Sequence, residues 1–434
     1  MWMTLKDRKT AENLLSFIQT AVSPFHVTQC SAARLKEGGF KELFLADDWE
    51  LEENTGYYVQ VYGASIVAFF VGGNMRKKLR ISAAHTDFPC FRIKPAAAIA
   101  EHGYRKLNIE PYGGMILNTW LDRPLSMAGK VVLRGREIFS PQTIFLDCQR
   151  ALLTIPNLAI HMNRKVNEGL ELNKQKDMLP LFSMAGKDMQ KEDFFLAFLA
   201  QELKVEKTEI LSYELNLYPV EAGCLFGMEE EFVSAPRLDN ITSVKACLEG
   251  ILQSKKPEGL HVMALFDHEE VGSRTKQGGA SLLLPQLLER IYAAMGYTRP
   301  EYLADVAGGF LLSVDVAHAL HPNSPEKSDV TNKPLLNGGV ALKVAASQSY
   351  AGDGEAVAAI AALCQAEHIP CQYFANRSDA AGGSTLGSML SALMPMRTMD
   401  IGLPVLAMHS VRETMGMKDQ QALEDLLKAF YQQA

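Results

Sequence analysis

No stretch of the 434 residues offers the roughly 18 uncharged apolar residues that a membrane-spanning helix requires. The opening residues, MWMTLKDRK, carry charge but no apolar run followed by a small-residue cleavage site, so no secretory signal is expected. Basic runs are missing as well: 43 Lys and Arg stand against 50 Asp and Glu, a net charge of −7. Binding a phosphate backbone needs clustered cations, which sets nucleic acid and, with the lack of apolar runs, membranes aside as partners. Cysteine is sparse, and the seven at positions 30, 90, 148, 224, 247, 364 and 371 are odd in number and form no C-x-x-C pair. That pattern argues against a disulfide framework or a structural zinc knuckle and fits a reducing cytoplasm.

What is present is an ordinary globular composition, 47% hydrophobic and 21% charged, on a chain too long for one core. Two domains are expected. Residues 10–39 read as two short amphipathic helices, the second stopped by Gly38 and Gly39. Apolar β-rich runs follow at 57–62, 65–71 and 79–84, punctuated by Gly63, Gly72 and Gly73. Beyond about Lys94 the texture changes to Gly- and Pro-punctuated segments with a strand at 130–134 and a helix near 192–203, which marks a candidate inserted domain. From Asp239 onward helices (241–253, 284–295, 354–367) alternate with strands (261–266, 309–314, 369–374), the rhythm of a parallel sheet with helices on both faces.

Metal-ligand residue types stand immediately after apolar strands in four places: His85 and Asp87 after 79–84, Glu269 and Glu270 after 262–266, Asp315 after 310–314, and His409 after 404–408. Open α/β sheets bind ligands beyond the carboxyl ends of their strands, where such loops converge. Asp239, at the mouth of the helix that begins near 241, joins them. Taken singly, each residue has a bland reading as a helix N-cap, a satisfied histidine or a solvated glutamate pair. Taken together, two imidazoles and several carboxylates without thiolates suit Zn²⁺, Co²⁺ or Mn²⁺. A metal pair needs a bridging carboxylate, for which Asp239 is the candidate. The adjacent Glu269 and Glu270 need not compete, because successive side chains in an extended segment point to opposite sides, so one can bind metal while the other acts as general base.

At these same residues the chain resembles the aspartyl aminopeptidase and vacuolar aminopeptidase family of metallopeptidases. The resemblance is carried by AHTD at 84–87 with FRIK at 91–94, PRLDN at 236–240, DHEEVG at 267–272, SVDVAHA at 313–319 with HPN at 321–323, and MHSVRE at 408–413. Further blocks lie at 155–161, 372–379 and 383–385, so the likeness runs across nearly the whole chain in one order.

The resemblance implies an α/β catalytic domain with a mixed, mainly parallel sheet flanked by helices, formed by residues 1–93 and 233–434. It is interrupted by a smaller β-rich dimerisation domain at 94–232. It further implies two divalent ions, zinc foremost, one held by His85, Asp239 and Asp315 and the other by Asp239, Glu270 and His409. Glu269 is then the general base and Asp87 orients His85 through its other ring nitrogen. His318, Lys343 and Tyr350 are implied as substrate-binding residues, with His161 reaching a neighbouring subunit's site. The expected activity is removal of single residues from free peptide N-termini, with Asp or Glu the preference the family name implies, by a homododecamer built of dimers. A related two-metal deacylase or carboxypeptidase, and a non-catalytic assembly protein of the same fold, are the alternatives.

Overall fold

The run Ser65–Val71 is buried at every position, as a strand covered on both faces must be. Strand Asn74–His85 shows how the two faces are used. Its Leu79, Ile81 and Ala83 enter one apolar cluster with Leu284, Leu287 and Leu288, Tyr302 and Val306, and Leu386 and Leu390. Those partners belong to helices Leu283–Ala294, Arg299–Gly308 and Leu386–Leu393. The alternate residue Ser82 turns to the opposite face, where its hydroxyl bonds the Tyr431 hydroxyl at 2.7 Å. Tyr431 lies on helix Asp419–Gln432, which packs with helix Leu238–Gln253 on that side. This is a computed structural model, and it describes residues 4–185, 193–253, 258–380 and 382–433.

The chain forms two compact units. The first runs to Asp87, resumes over Gly223–Met408 and takes Glu413 onward; the second is Phe88–Ala222 with His409–Arg412. The first holds a mixed nine-stranded sheet whose middle strands, Glu258–Phe266, Asn74–His85, Phe310–Val314 and Arg397–Gly402, are parallel neighbours in that order. Val340–Lys343 then adds antiparallel to Arg397–Gly402, and Cys371–Phe374 closes that edge. A five-stranded sheet in the same unit includes Ala317–His318 beside Pro404–Leu406. The second unit is a six-stranded sheet whose pairings are antiparallel, with Leu125–Glu137 and Ile210–Pro219 its longest partners.

The expected α/β class therefore holds, with helices on both faces of a sheet whose centre is parallel. Elements that the sequence pattern did not single out include helices Arg299–Gly308, Leu386–Leu393 and Asp419–Gln432 and strands Val340–Lys343 and Arg397–Gly402. The helix expected from 192 spans Phe194–Leu203, and residue 192 itself lies outside the described residues. Among the described residues no helix is long and apolar enough to cross a membrane, and no disulfide joins the cysteines.

Candidate metal centre

Parallel strands side by side deliver their carboxyl ends to one edge. His85 ends its strand opposite Phe266, and Ser313, two residues before Asp315, pairs with Ala83. His85, Asp267 to Glu270 and Asp315 therefore arrive together. Asp239 enters from the first turn of helix Leu238–Gln253, where Asp239 and Asn240 leave helical φ/ψ and the peptide between them is cis.

His85 is 2% exposed and Asp239 4%. The His85 Nε2 lies 3.5 Å from Asp239 Oδ1 and 3.6 Å from Asp315 Oδ1. Zinc bonds of about 2.0–2.2 Å set at tetrahedral angles separate donor atoms by about 3.3–3.6 Å, so both separations from His85 match those around a zinc ion, and all three donors lie within 4.8 Å of one another. The other ring nitrogen, Nδ1, is 3.0 Å from the Asp87 carbonyl oxygen and 3.4 Å from its carboxylate Oδ1. Asp87 thus orients the ring mainly through its carbonyl. Its buried carboxylate has a second task, accepting the backbone N–H groups of Glu269 and Glu270 at 3.1 Å each. Glu413 acts similarly on the other side, accepting the Asp239 N–H at 2.9 Å.

The electrostatics match a site built for cations. Burial pushes the His85 imidazole down, but the surrounding carboxylates of Asp239, Asp315 and Asp87 outweigh it and hold the ring well above its ordinary value. Burial pushes the Glu269 carboxyl up to about 7, His85 opposes that, and the charges of Asp315, Asp87 and Asp239 add to it. Crowding carboxylates around one imidazole is costly without a counter-ion, and a divalent ion is the counter-ion such a donor set takes.

One expectation needs correcting. Residues 269–271 form a 3₁₀ turn rather than an extended segment, entered through His268 at φ 67° and left through Gly272 at φ 99°. Glu269 and Glu270 do not separate by strand alternation; both can bring an oxygen within 4.8 Å of a His85 nitrogen. The turn is set by Asp87 gripping both amides, a long-range contact that local pattern does not encode.

The proposed substrate residues extend the same edge. Lys343, 2% exposed, places its ammonium 3.5 Å from Asp315 Oδ2, 2.9 Å from the Val316 carbonyl and 4.7 Å from the centre of the Tyr350 ring. Burial lowers its affinity for the proton, yet Asp315, Asp400 and Tyr350 raise it further, so the ammonium is held above its usual range. His318 meets Phe374 edge-on at 6.1 Å and lines a cavity of about 480 Å³ with His321, Lys327, Asn376 and Arg377. His161 and His409 belong to the second unit. His161 is exposed in a turn, and His409 Nδ1 donates to the Gly114 carbonyl at 2.6 Å, which fixes the ring proton on Nδ1. Glu413, Asp400, Phe374 and Asn376 had been assigned no role from the sequence, although Glu413 closes the block at 408–413.

An α/β sheet whose parallel strands end in a largely buried cluster of histidine and carboxylates fits a metal-dependent hydrolase. The family described as aminopeptidase I zinc metalloprotease (M18) matches residues 17–431. A probable M18 family aminopeptidase 2 of Clostridium novyi (strain NT) is 44% identical over 426 residues, covering 98% of each chain. Among solved structures, Ape4 in its complex with Nbr1 superposes with a TM-score of 0.93 at 33% identity, over 98% of this chain and 86% of that one. The mApe1 dodecamer of S. cerevisiae has the same fold, with a TM-score of 0.83 at 24% identity over 97% and 96%. The chain belongs to the M18 family of zinc aminopeptidases. It is thereby an aminopeptidase, a hydrolase of peptide bonds, and neither the deacylase, the carboxypeptidase nor the scaffold alternative.

Proposed function

We propose that the protein removes N-terminal residues from short peptides through two zinc ions per subunit, with a preference for Asp or Glu at the first position. The observation that carries this reading is the triad of His85, Asp239 and Asp315, with the His85 Nε2 3.5 Å from Asp239 Oδ1 and 3.6 Å from Asp315 Oδ1. Those three would hold the first ion, and Asp239, Glu270 and His409 would hold the second, as the family resemblance implies. Zinc is the first choice, and cobalt or manganese would accept the same donors.

When bound, the ions supply Lewis-acid polarisation of the scissile carbonyl and lower the pKa of water to the neutral range. Glu269 takes the proton of that water as it attacks and later delivers it to the departing amine nitrogen. The carboxylates of the cluster draw in the peptide's α-ammonium, which confines the site to free N-termini. Lys343, kept charged by Asp315 and Asp400, pairs with an acidic first side chain, while Tyr350 and His318 flank it. His161 completes the site of a neighbouring subunit in a dodecamer built of dimers, in which the second unit is the dimerisation domain. A cytoplasmic setting fits a chain whose cysteines form no disulfide.

The test is hydrolysis of peptides starting with Asp, Glu, Leu or Lys, each with a free and an acetylated N-terminus, before and after chelation and zinc restoration. Cleavage of free peptides alone, lost on chelation, restored by zinc and fastest for Asp or Glu, is the expected result. Cleavage of acetylated peptides would refute recognition of the free amine; a Leu preference would refute the acidic reading.

A further inference from the structure

Asp400 is a carboxylate within the nine-stranded sheet, on the third strand from one edge, with no exposed surface. Its strand lies between Phe310–Val314 and Val340–Lys343, paired with Ser313 on one side. On the other side Ala341 pairs with Gly402 and Leu342 with Ile401, so the register one residue on sets Lys343 opposite Asp400. Ser313, Asp400 and Lys343 form a row across three strands, and directly opposed residues share a face.

The row continues into the loops. Asp400 is clipped twice to Ala351: its backbone N–H donates to the Ala351 carbonyl at 2.8 Å, and its carboxylate accepts the Ala351 N–H. Ala351 follows Tyr350, whose ring lies under the Lys343 ammonium and whose hydroxyl accepts from Asn376 at 3.3 Å. Ser313 stands beside the same residue across the sheet, and the Thr385 N–H reaches the Ser349 carbonyl at 3.3 Å. Helix Leu386–Leu393 approaches so closely that a Cβ on Gly387 would stand 2.3 Å from Asp400 Oδ2. One buried carboxylate therefore joins the strand that leads to Asp315, the Tyr350 corner and the start of a helix.

We infer that Asp400 is a positioning residue for selectivity at the substrate's first residue, because it fixes Lys343 and Tyr350 against each other beside Asp315. The inference rests on the reading that Lys343 and Tyr350 contact that residue. A displacement of about 1 Å in such a wall is enough to cost orders of magnitude in rate for the substrate it fits.

The experiment compares kcat/KM for two peptides that differ only in Asp or Leu at the N-terminus, using the zinc-loaded full chain. D400A should change the Asp-to-Leu ratio about tenfold, through KM for the Asp peptide. D400N keeps an oxygen for the Ala351 N–H and should restore the ratio to within about threefold of the parent. G387A crowds Asp400 without removing its charge and should shift the ratio in the direction of D400A. It also decides the matter if D400A does not fold. Parallel losses on both peptides, or no rescue by D400N, would overturn the inference and leave the aminopeptidase reading standing. If the parent prefers Leu, the acidic reading fails, while a ratio that moves in D400A and returns in D400N still supports Asp400.

Discussion

Replacing Glu269 by Gln separates proton transfer from everything else the site does. The amide is isosteric with the carboxylate, and the turn carrying it is held by backbone: the Glu269 and Glu270 N–H groups remain on the Asp87 carboxylate at 3.1 Å. The triad of His85, Asp239 and Asp315 is untouched. What disappears is the capacity to accept a proton from the attacking water. General base catalysis contributes about 10²–10⁴-fold, or roughly 3–5 kcal/mol of barrier. The expected outcome is a fall of about that size in kcat on a free-N-terminus peptide, with KM near the parent value. Zinc content, measured by elemental analysis on the same sample, should not change. An E269Q protein with full zinc and more than about a tenth of parental turnover would refute the assignment of Glu269 as base.

Two further substitutions probe other parts of the chain. Asp239→Asn removes the charge of the proposed bridging carboxylate, so zinc content should fall and activity vanish; an active variant with full zinc would contradict the bridging role. Asp419 is buried at the start of helix Asp419–Gln432, and burial pushes its carboxyl up to about 7 against the pull of hydrogen bonds from the backbone of Gly339, Asn337 and Gly416. Because the folded value exceeds the unfolded one of about 3.9, its stabilising contribution is complete below about pH 4 and is lost as the pH rises through about 7. In urea titrations of the zinc-free protein, D419N should lose less stability than the parent between about pH 5 and pH 8, by a few kcal/mol at most; identical slopes would remove Asp419 as the source.

The strand ends were readable because strand and candidate site residue are written close together: an apolar run buried on both faces, followed at once by His85 or Asp315 and within three residues by Glu269. The strand Arg397–Gly402 was not, since a charged residue, Asp400, stands in its middle, and periodicity treats an ionisable side chain as a surface signal. The same holds for Val340–Lys343, four residues long and ending on a buried lysine. Lys343 and Asp400 are opaque in sequence because each is tolerable in the core only with partners far along the chain, Asp315 and the Val316 carbonyl for Lys343 and the Ala351 N–H for Asp400. The turn at 269–271 was misread for a related reason: the carboxylate that grips it comes from Asp87, roughly 180 residues away. Local pattern reports which residues seek the core, and it is silent on which buried charges have found their partners.

Asp87 and Glu413 share a design that leads to a last prediction. Neither needs to touch a metal to matter, because each holds a proposed ligand by its main chain: Asp87 through the Glu270 N–H, and Glu413 through the Asp239 N–H at 2.9 Å. A buried carboxylate that accepts N–H donors is stabilised as an anion, and the hydrogen bond is of the charge-assisted kind. The bridging candidate is therefore aimed before any ion arrives, and disturbing its support should cost affinity rather than chemistry. Removing such a supporting partner weakens metal binding by about 10–100-fold. Glu413→Ala should show that loss in a zinc competition titration, and excess zinc should restore most of kcat. Glu413→Gln, which still offers an oxygen to the Asp239 N–H, should lie between the two. If Glu413→Ala binds zinc like the parent yet loses kcat irreversibly, Glu413 acts on the reaction itself and the argument from main-chain support is wrong.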